Sequence, residues 1–284
     1  MLITLPLAIS GRATAVLLAG FVLVGLLVNS VSNFGTQTNM FRQPSADPSF
    51  PTKTWQSWKD DAQDPTERTV GFPHQWMVVN PGWRYERITD ANSDAYVREN
   101  FNTTIAALLT SMRDQLLKAD FLRYLILLRE GGVWADIDVY PHQPVAKWIP
   151  EESPYSVQLF QYTVLAKPGH PAMQTVVGQV TSNLQTLFSS ESEGSPTTCE
   201  DVMATTGPFA FTKVMMEYFL RVTGEEHTGD ELESLEAPRK IGDVLVLPRE
   251  SFGWLAHEHT HKEGDPSILV EHLFIASWRQ GHPG

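Results

Sequence analysis

Two aspartates, Asp136 and Asp138, stand one residue apart in the stretch GGVWADIDVYP. Read as a strand from Val133 to Tyr140 that Pro141 stops, this segment projects both carboxylates from one face, because side chains alternate along a strand. Like charges so placed repel each other unless something positive sits between them. Carboxylate oxygens in that arrangement suit a hard divalent cation, Mn²⁺ or Mg²⁺, which keeps positions open for phosphate oxygens and stabilises a phosphate leaving group. The bland alternative is a pair of solvated charges on an edge strand, since Asp-x-Asp alone is common. Upstream, Asp120 and Arg123 lie three apart in the apolar run ADFLRYLILLRE and share a helix face. They are either an ordinary ion pair or a second set of polar groups delivered to the same pocket.

The surrounding pattern says what must hold these groups. Ile105, Leu108, Leu109, Met112, Leu116 and Leu117 recur at helical spacing and predict a helix over 104–130. Gly131 and Gly132 end it where a left-handed cap is wanted. FPTKTWQSWKD, residues 50–60, predicts a first strand. Residues 74–90 hold a helical or extended piece, a Pro-Gly turn, and a strand around Trp83 to Ile88. Further on come a strand within 157–165, a helix over 171–187, a helix opened by Thr206-Gly207-Pro208, and a strand and turn over 242–254. Alternating strands and helices predict an α/β sandwich with a largely parallel sheet. Ligands bind such sheets at the C-terminal ends of the strands.

Composition narrows the classes. The chain has 284 residues, enough for a sizeable core, and a net charge of −12, which argues against nucleic acid as a partner. Its one cysteine, Cys199, leaves no intrachain disulfide and no ordinary Cys/His zinc site. From Ala13 to Val31 the chain is uncharged and apolar, close to the roughly 20 residues that span a bilayer. That predicts an N-terminal transmembrane helix, residues 1–31, acting as a signal anchor, with a cleaved signal peptide as the alternative. A polar stem over 32–49 and a globular body over 50–284 follow. Arg12, the only charge before Arg42, points to a cytoplasmic N-terminus and a lumenal body. Asn102-Thr103-Thr104 is then an N-glycosylation sequon. His257, His259 and His261 alternate on a polar loop and read as solvated rather than as metal ligands.

DFLRYLILLREGGVWADIDVYP resembles the D-x-x-R-Y…G-G-x-x-x-D-x-D sugar-nucleotide motif of family 32 glycosyltransferases. FPTKTWQSWK, NPGWRYE, TTGPFAFT, GDVLVLP and EHLFIASW resemble further segments of that family, in the right order over 50–278. The likeness is greatest to the fungal Golgi initiation-specific α-1,6-mannosyltransferases. The resemblance implies a GT-A type, Rossmann-like catalytic domain, retaining and metal-dependent, using GDP-mannose and preferring Mn²⁺. It implies a glycan or glycolipid acceptor and a single-pass type II Golgi membrane protein working in N-glycan outer-chain synthesis. By the same resemblance Asp138 and His272 hold the metal, and Asp136 and Asp138 are catalytic. Trp58, Asp120, Arg123, Tyr124, Trp134, Asp136 and Trp278 contact the donor. Ala276 stands where the family has glycine. Two alternatives stay open: mannosyl transfer to inositol phosphoceramide, and a non-catalytic glycan-binding relative.

Overall fold

The computed structural model describes residues 50–59, 71–148, 161–190, 197–252 and 265–275. The proposed membrane helix and stem, the histidine triplet at 257–261, Ala276 and Trp278 lie outside the described residues. Among the described residues no helix is long and apolar enough to cross a membrane.

A mixed four-stranded sheet organises the body. It runs in the order β2 (Arg84–Thr89), β1 (Lys53–Trp58), β3 (Gly132–Ala135), β5 (Thr163–Ala166). β2 and β3 both pair with β1 in parallel, and β5 pairs with β3 antiparallel. The predicted largely parallel sheet therefore holds for three strands, and the fourth, β5, runs antiparallel along β3. On central β1 the run Thr54, Trp55 and Gln56 is buried on both faces, as a covered parallel strand requires. Helix α1 (Phe72–Val79) lies between β1 and β2 in the chain.

Three helices link β2 to β3: α2 (Asp90–Asn100), α3 (Thr103–Ser111) and α4 (Gln115–Glu130). The single helix expected over 104–130 is thus two. Met112 turns to an extended conformation, and Asp114 restarts the helix by accepting from the Leu116 and Leu117 amides at 2.9 and 3.3 Å. A side chain that captures backbone donors in this way competes with helix continuation. Asn102, of the sequon, caps α3 by accepting from the Ile105 amide at 2.9 Å.

Between β3 and β5 the chain makes β4 (Val139–Pro141), which pairs antiparallel with β8 (Val270–His272) near the C-terminus. After β5 come α5 (Pro171–Ser190), α6 (Cys199–Thr205), α7 (Pro208–Thr223) and α8 (Gly229–Glu233). The hairpin of β6 (Arg239–Ile241) and β7 (Val244–Val246) follows. Pro208 opens α7 at a position where its missing N–H costs nothing.

Gly131 closes α4, but not as the left-handed cap the sequence suggested. It sits at φ 64° and ψ −163°, a region only glycine occupies freely. A Cβ there would lie 2.6 Å from Pro168 Cδ and 2.8 Å from the Ala166 carbonyl oxygen. Backbone strain and crowding add, so Gly131→Ala is expected to cost about 2–4 kcal/mol in urea unfolding. A change below about 0.5 kcal/mol would show that the turn can relax.

Candidate active site

Asp136 and Asp138 are not on one strand. β3 ends at Ala135 and β4 begins at Val139, so the two aspartates occupy the turn between them. The Val139 amide donates to the Asp136 carbonyl at 3.0 Å and closes that turn. The carboxylates converge through the turn and not through strand alternation. Their third neighbour arrives from far along the chain. Pairing of Val139 with His272 carries the imidazole to the same place, with Nε2 3.1 Å from Asp138 Oδ1. One ligand atom from each of Asp136, Asp138 and His272 lies within 4.8 Å of the others.

This donor set fits a divalent cation. Two cis ligands of an octahedral ion, each about 2.1 Å from it, stand about 3 Å apart, which is the Asp138–His272 spacing. Carboxylate with imidazole suits Mn²⁺ better than Mg²⁺. Among the described residues the Asp136 carboxylate accepts on Oδ1 alone, from Arg123 Nη2 at 2.7 Å and Trp134 Nε1 at 3.0 Å, which leaves Oδ2 for a cation. The His272 ring is held by packing: it stacks on Tyr162 at 4.3 Å and meets Phe274 at 4.0 Å. Phe274 adopts φ 47°, uncommon for a residue with a side chain. That turn lets the Leu273 amide reach the Asp138 carbonyl and the Ile275 amide reach Asp138 Oδ2, at 3.0 and 3.1 Å.

The environment splits the two carboxyl groups. Burial raises the Asp136 pKa above the ordinary carboxylate value, against the pull of Arg123 and with a push from Asp138. Burial would raise Asp138 too. Hydrogen bonds from His272 and the Ile275 amide, with the imidazole's charge, outweigh it and hold that pKa below the ordinary value.

Behind this centre lies a buried ion-pair network. Arg123 and Asp120 are each 4% exposed, and Arg123 Nη1 is 3.0 Å from Asp120 Oδ1. Asp120 also accepts from Gln161 Nε2 at 2.8 Å and from Thr206 Oγ1 at 3.0 Å. Gln161 comes from the chain just before β5, whose Tyr162 carbonyl receives the Asp136 amide at 2.8 Å. Thr206 precedes Gly207-Pro208, so the start of α7 is tied to α4. Trp58, Asp120, Arg123, Asp136, Asp138 and His272 all line one cleft of about 1180 Å³.

Residues 66–155 match a family model described as a glycosyltransferase sugar-binding region containing the DXD motif. Its D-x-D is Asp136-Ile137-Asp138, at the floor of the cleft. This stretch is similar to DXD-type glycosyltransferase regions. Across 260 aligned residues the chain is 30% identical to an initiation-specific alpha-1,6-mannosyltransferase of Schizosaccharomyces pombe, covering 81% of this chain and 64% of that protein. A Candida albicans protein of the same name is 26% identical over 284 aligned residues, covering 81% of this chain and 72% of that one. The chain thus spans just under two thirds of the length of the S. pombe relative. Among solved structures, the PaToxG glycosyltransferase aligns with a TM-score of 0.44 and 13% identity, over 62% of this chain and 72% of that one.

Within the matched region, two residues expected at the donor stand away from the cleft. Tyr124 has no exposed surface; its hydroxyl donates to the Thr206 carbonyl at 2.8 Å and its ring stacks on Phe211 at 5.7 Å. Trp134 is likewise fully buried, under the Arg123 guanidinium at 5.6 Å, and donates to Asp136. Neither lines the cleft, because Tyr124 faces α7 and Trp134 sits within the sheet. Both act on the site through a residue that does line it. Gln161 and Thr206 complete the Asp120 cage. Thr206 was marked by the T-G-P segment; nothing in the sequence marked Gln161.

Proposed function

We propose that this protein is a metal-dependent mannosyltransferase of the GT-A type, taking mannose from GDP-mannose to a glycan acceptor in N-glycan outer-chain synthesis. The observation that carries this reading is the convergence of Asp136, Asp138 and His272 at the floor of a cleft, beside the buried Asp120–Arg123 pair. The names of the fungal relatives supply the sugar and the linkage.

Asp138, His272 and the free oxygen of Asp136 would hold the cation, with Mn²⁺ preferred for the imidazole. A bound divalent ion would neutralise the diphosphate as it leaves. Arg123, fixed by Asp120 and Asp136, adds positive charge at the cleft wall. Asp120 is preset by Gln161 and Thr206, so little reorganisation is needed when a donor sugar arrives. The apolar run Ala13–Val31 supports a type II Golgi membrane protein with this body in the lumen.

Calorimetry on the full chain with GDP and UDP, with and without Mn²⁺, tests the reading. GDP is expected to bind at least about tenfold tighter than UDP and only with metal, a difference of one or two polar contacts. Binding of neither nucleotide by the folded protein would overturn it.

A further inference from the structure

The cleft reaches beyond the metal centre along the C-terminal ends of three parallel strands. β3 delivers Asp136, β1 delivers Trp58, and β2 delivers Thr89 followed by Asp90. Trp58 and Thr89 are register partners, Asp90 follows Thr89 at the start of α2, and Trp58 and Asp90 both line the cleft. Strands in a sheet are about 4.8 Å apart, so the end of β2 that leads into Asp90 lies two spacings, about 10 Å, from the end of β3 that leads into the Asp136 turn. That is the reach of a nucleoside from its phosphate to the far edge of its base.

Asp90 is equipped to meet that edge. Among the described residues no group hydrogen-bonds its carboxylate, and the residue is exposed to the cleft. Its helix does not depend on it: α2 is capped by Thr89 and Asn92, with the Thr89 amide donating to Asn92 Oδ1 at 2.7 Å. Lys118, buried and lining the same cleft, is fixed 2.6 Å from Asp94 and acts on Asp90 electrostatically without contacting it. The Lys59 ammonium lies 5.7 Å from the Trp58 ring centre, on an exposed side chain that an incoming base can displace.

We infer that Asp90 is a specificity residue that reads the purine edge of the donor nucleotide, accepting from guanine N1–H and the 2-amino group while the base stacks on Trp58. This inference rests on the guanosine-diphosphate donor proposed above. A carboxylate accepts two parallel N–H bonds well. Guanine offers two adjacent donors there. Uracil offers one, flanked by carbonyl oxygens that a carboxylate repels. A site built for paired donors discriminates strongly against a base lacking one, because a polar group is left unpaired.

The probe is inosine diphosphate, which keeps N1–H but lacks the 2-amino group. In Mn²⁺, the whole chain should bind GDP about tenfold more tightly than IDP, the effect of one charge-assisted bond. Asp90→Asn should erase that difference and weaken GDP binding while leaving the metal dependence intact. Asp90→Glu, which keeps the charge, should restore part of the GDP preference. If Asp90→Asn retains the tenfold preference for GDP over IDP, the inference fails and the donor reading stands. If the wild-type protein binds neither GDP nor UDP in Mn²⁺, the donor reading fails and the inference goes with it.

Discussion

Replacing Asp138 by Asn should abolish metal-dependent sugar transfer, by about three orders of magnitude or more, and leave the fold intact. Cation stabilisation of a leaving group is worth several kcal/mol, and each 1.36 kcal/mol is tenfold in rate. Asp138 is where that contribution is most concentrated. It faces His272 at 3.1 Å, and its pKa is held below the ordinary carboxylate value, so it is charged and ready for a cation at neutral pH. Asn keeps an oxygen that can accept from the Ile275 amide, so the C-terminal segment should stay docked. Asn brings no charge, however, and is a far weaker ligand. Transfer rates with Mn²⁺ titrated to saturation, beside a thermal melt without metal, separate the two effects. A variant with wild-type rates would remove Asp138 from the metal centre. A variant that loses the melt as well would make its role structural.

How far the site could be read from the chain depended on sequence distance. Asp136 with Asp138, and Asp120 with Arg123, are neighbours in sequence, and local geometry brings each pair together. Even there the reason differed: the aspartates meet in a turn after β3, where the apolar flanks Val133 and Val139 suggested one continuous strand. His272 was different. It reaches Asp138 across 134 residues through β4–β8 pairing, and no periodicity in a short strand marks it. Only the resemblance to a family pointed to it. The break at Met112 was missed because apolar spacing continues through it, whereas the Asp114 cap decides it. Tyr124 was placed at the donor as the last residue of the D-x-x-R-Y motif, and Trp134 by the same family resemblance. Tyr124 is adjacent to Arg123 on the helix and faces another way, and Trp134 lies inside the sheet, so both are buried away from the cleft.

Arg123→Met should be the most damaging single change to stability. Arg123 is buried against Asp120 at 3.0 Å and Asp136 at 2.7 Å. Its guanidinium also lies over the Trp134 ring. Methionine fills similar volume but leaves one fully buried and one partly buried carboxylate without their cation. Breaking a buried pair in this way costs about 3–5 kcal/mol. In a body of this size that lowers Tm by about 10 °C. The sign of its pH dependence follows. In the variant Asp136, whose pKa burial already raises, loses the downward pull of Arg123 and stands further above its unfolded value, so the folded state binds protons more readily than the unfolded chain. Stability relative to wild type should therefore recover as pH falls from 7 to 5. Adding Asp120→Asn removes one stranded charge and keeps an acceptor for Gln161 or Thr206. The double variant should then be more stable than the sum of the two single changes predicts, by roughly 1–3 kcal/mol. Simple additivity, with a deficit that does not change between pH 7 and 5, would mean that Arg123 serves packing rather than charge. The cleft wall would then owe its shape to the apolar contacts of α4, and the Asp120–Arg123–Asp136 network would not be what fixes the candidate site.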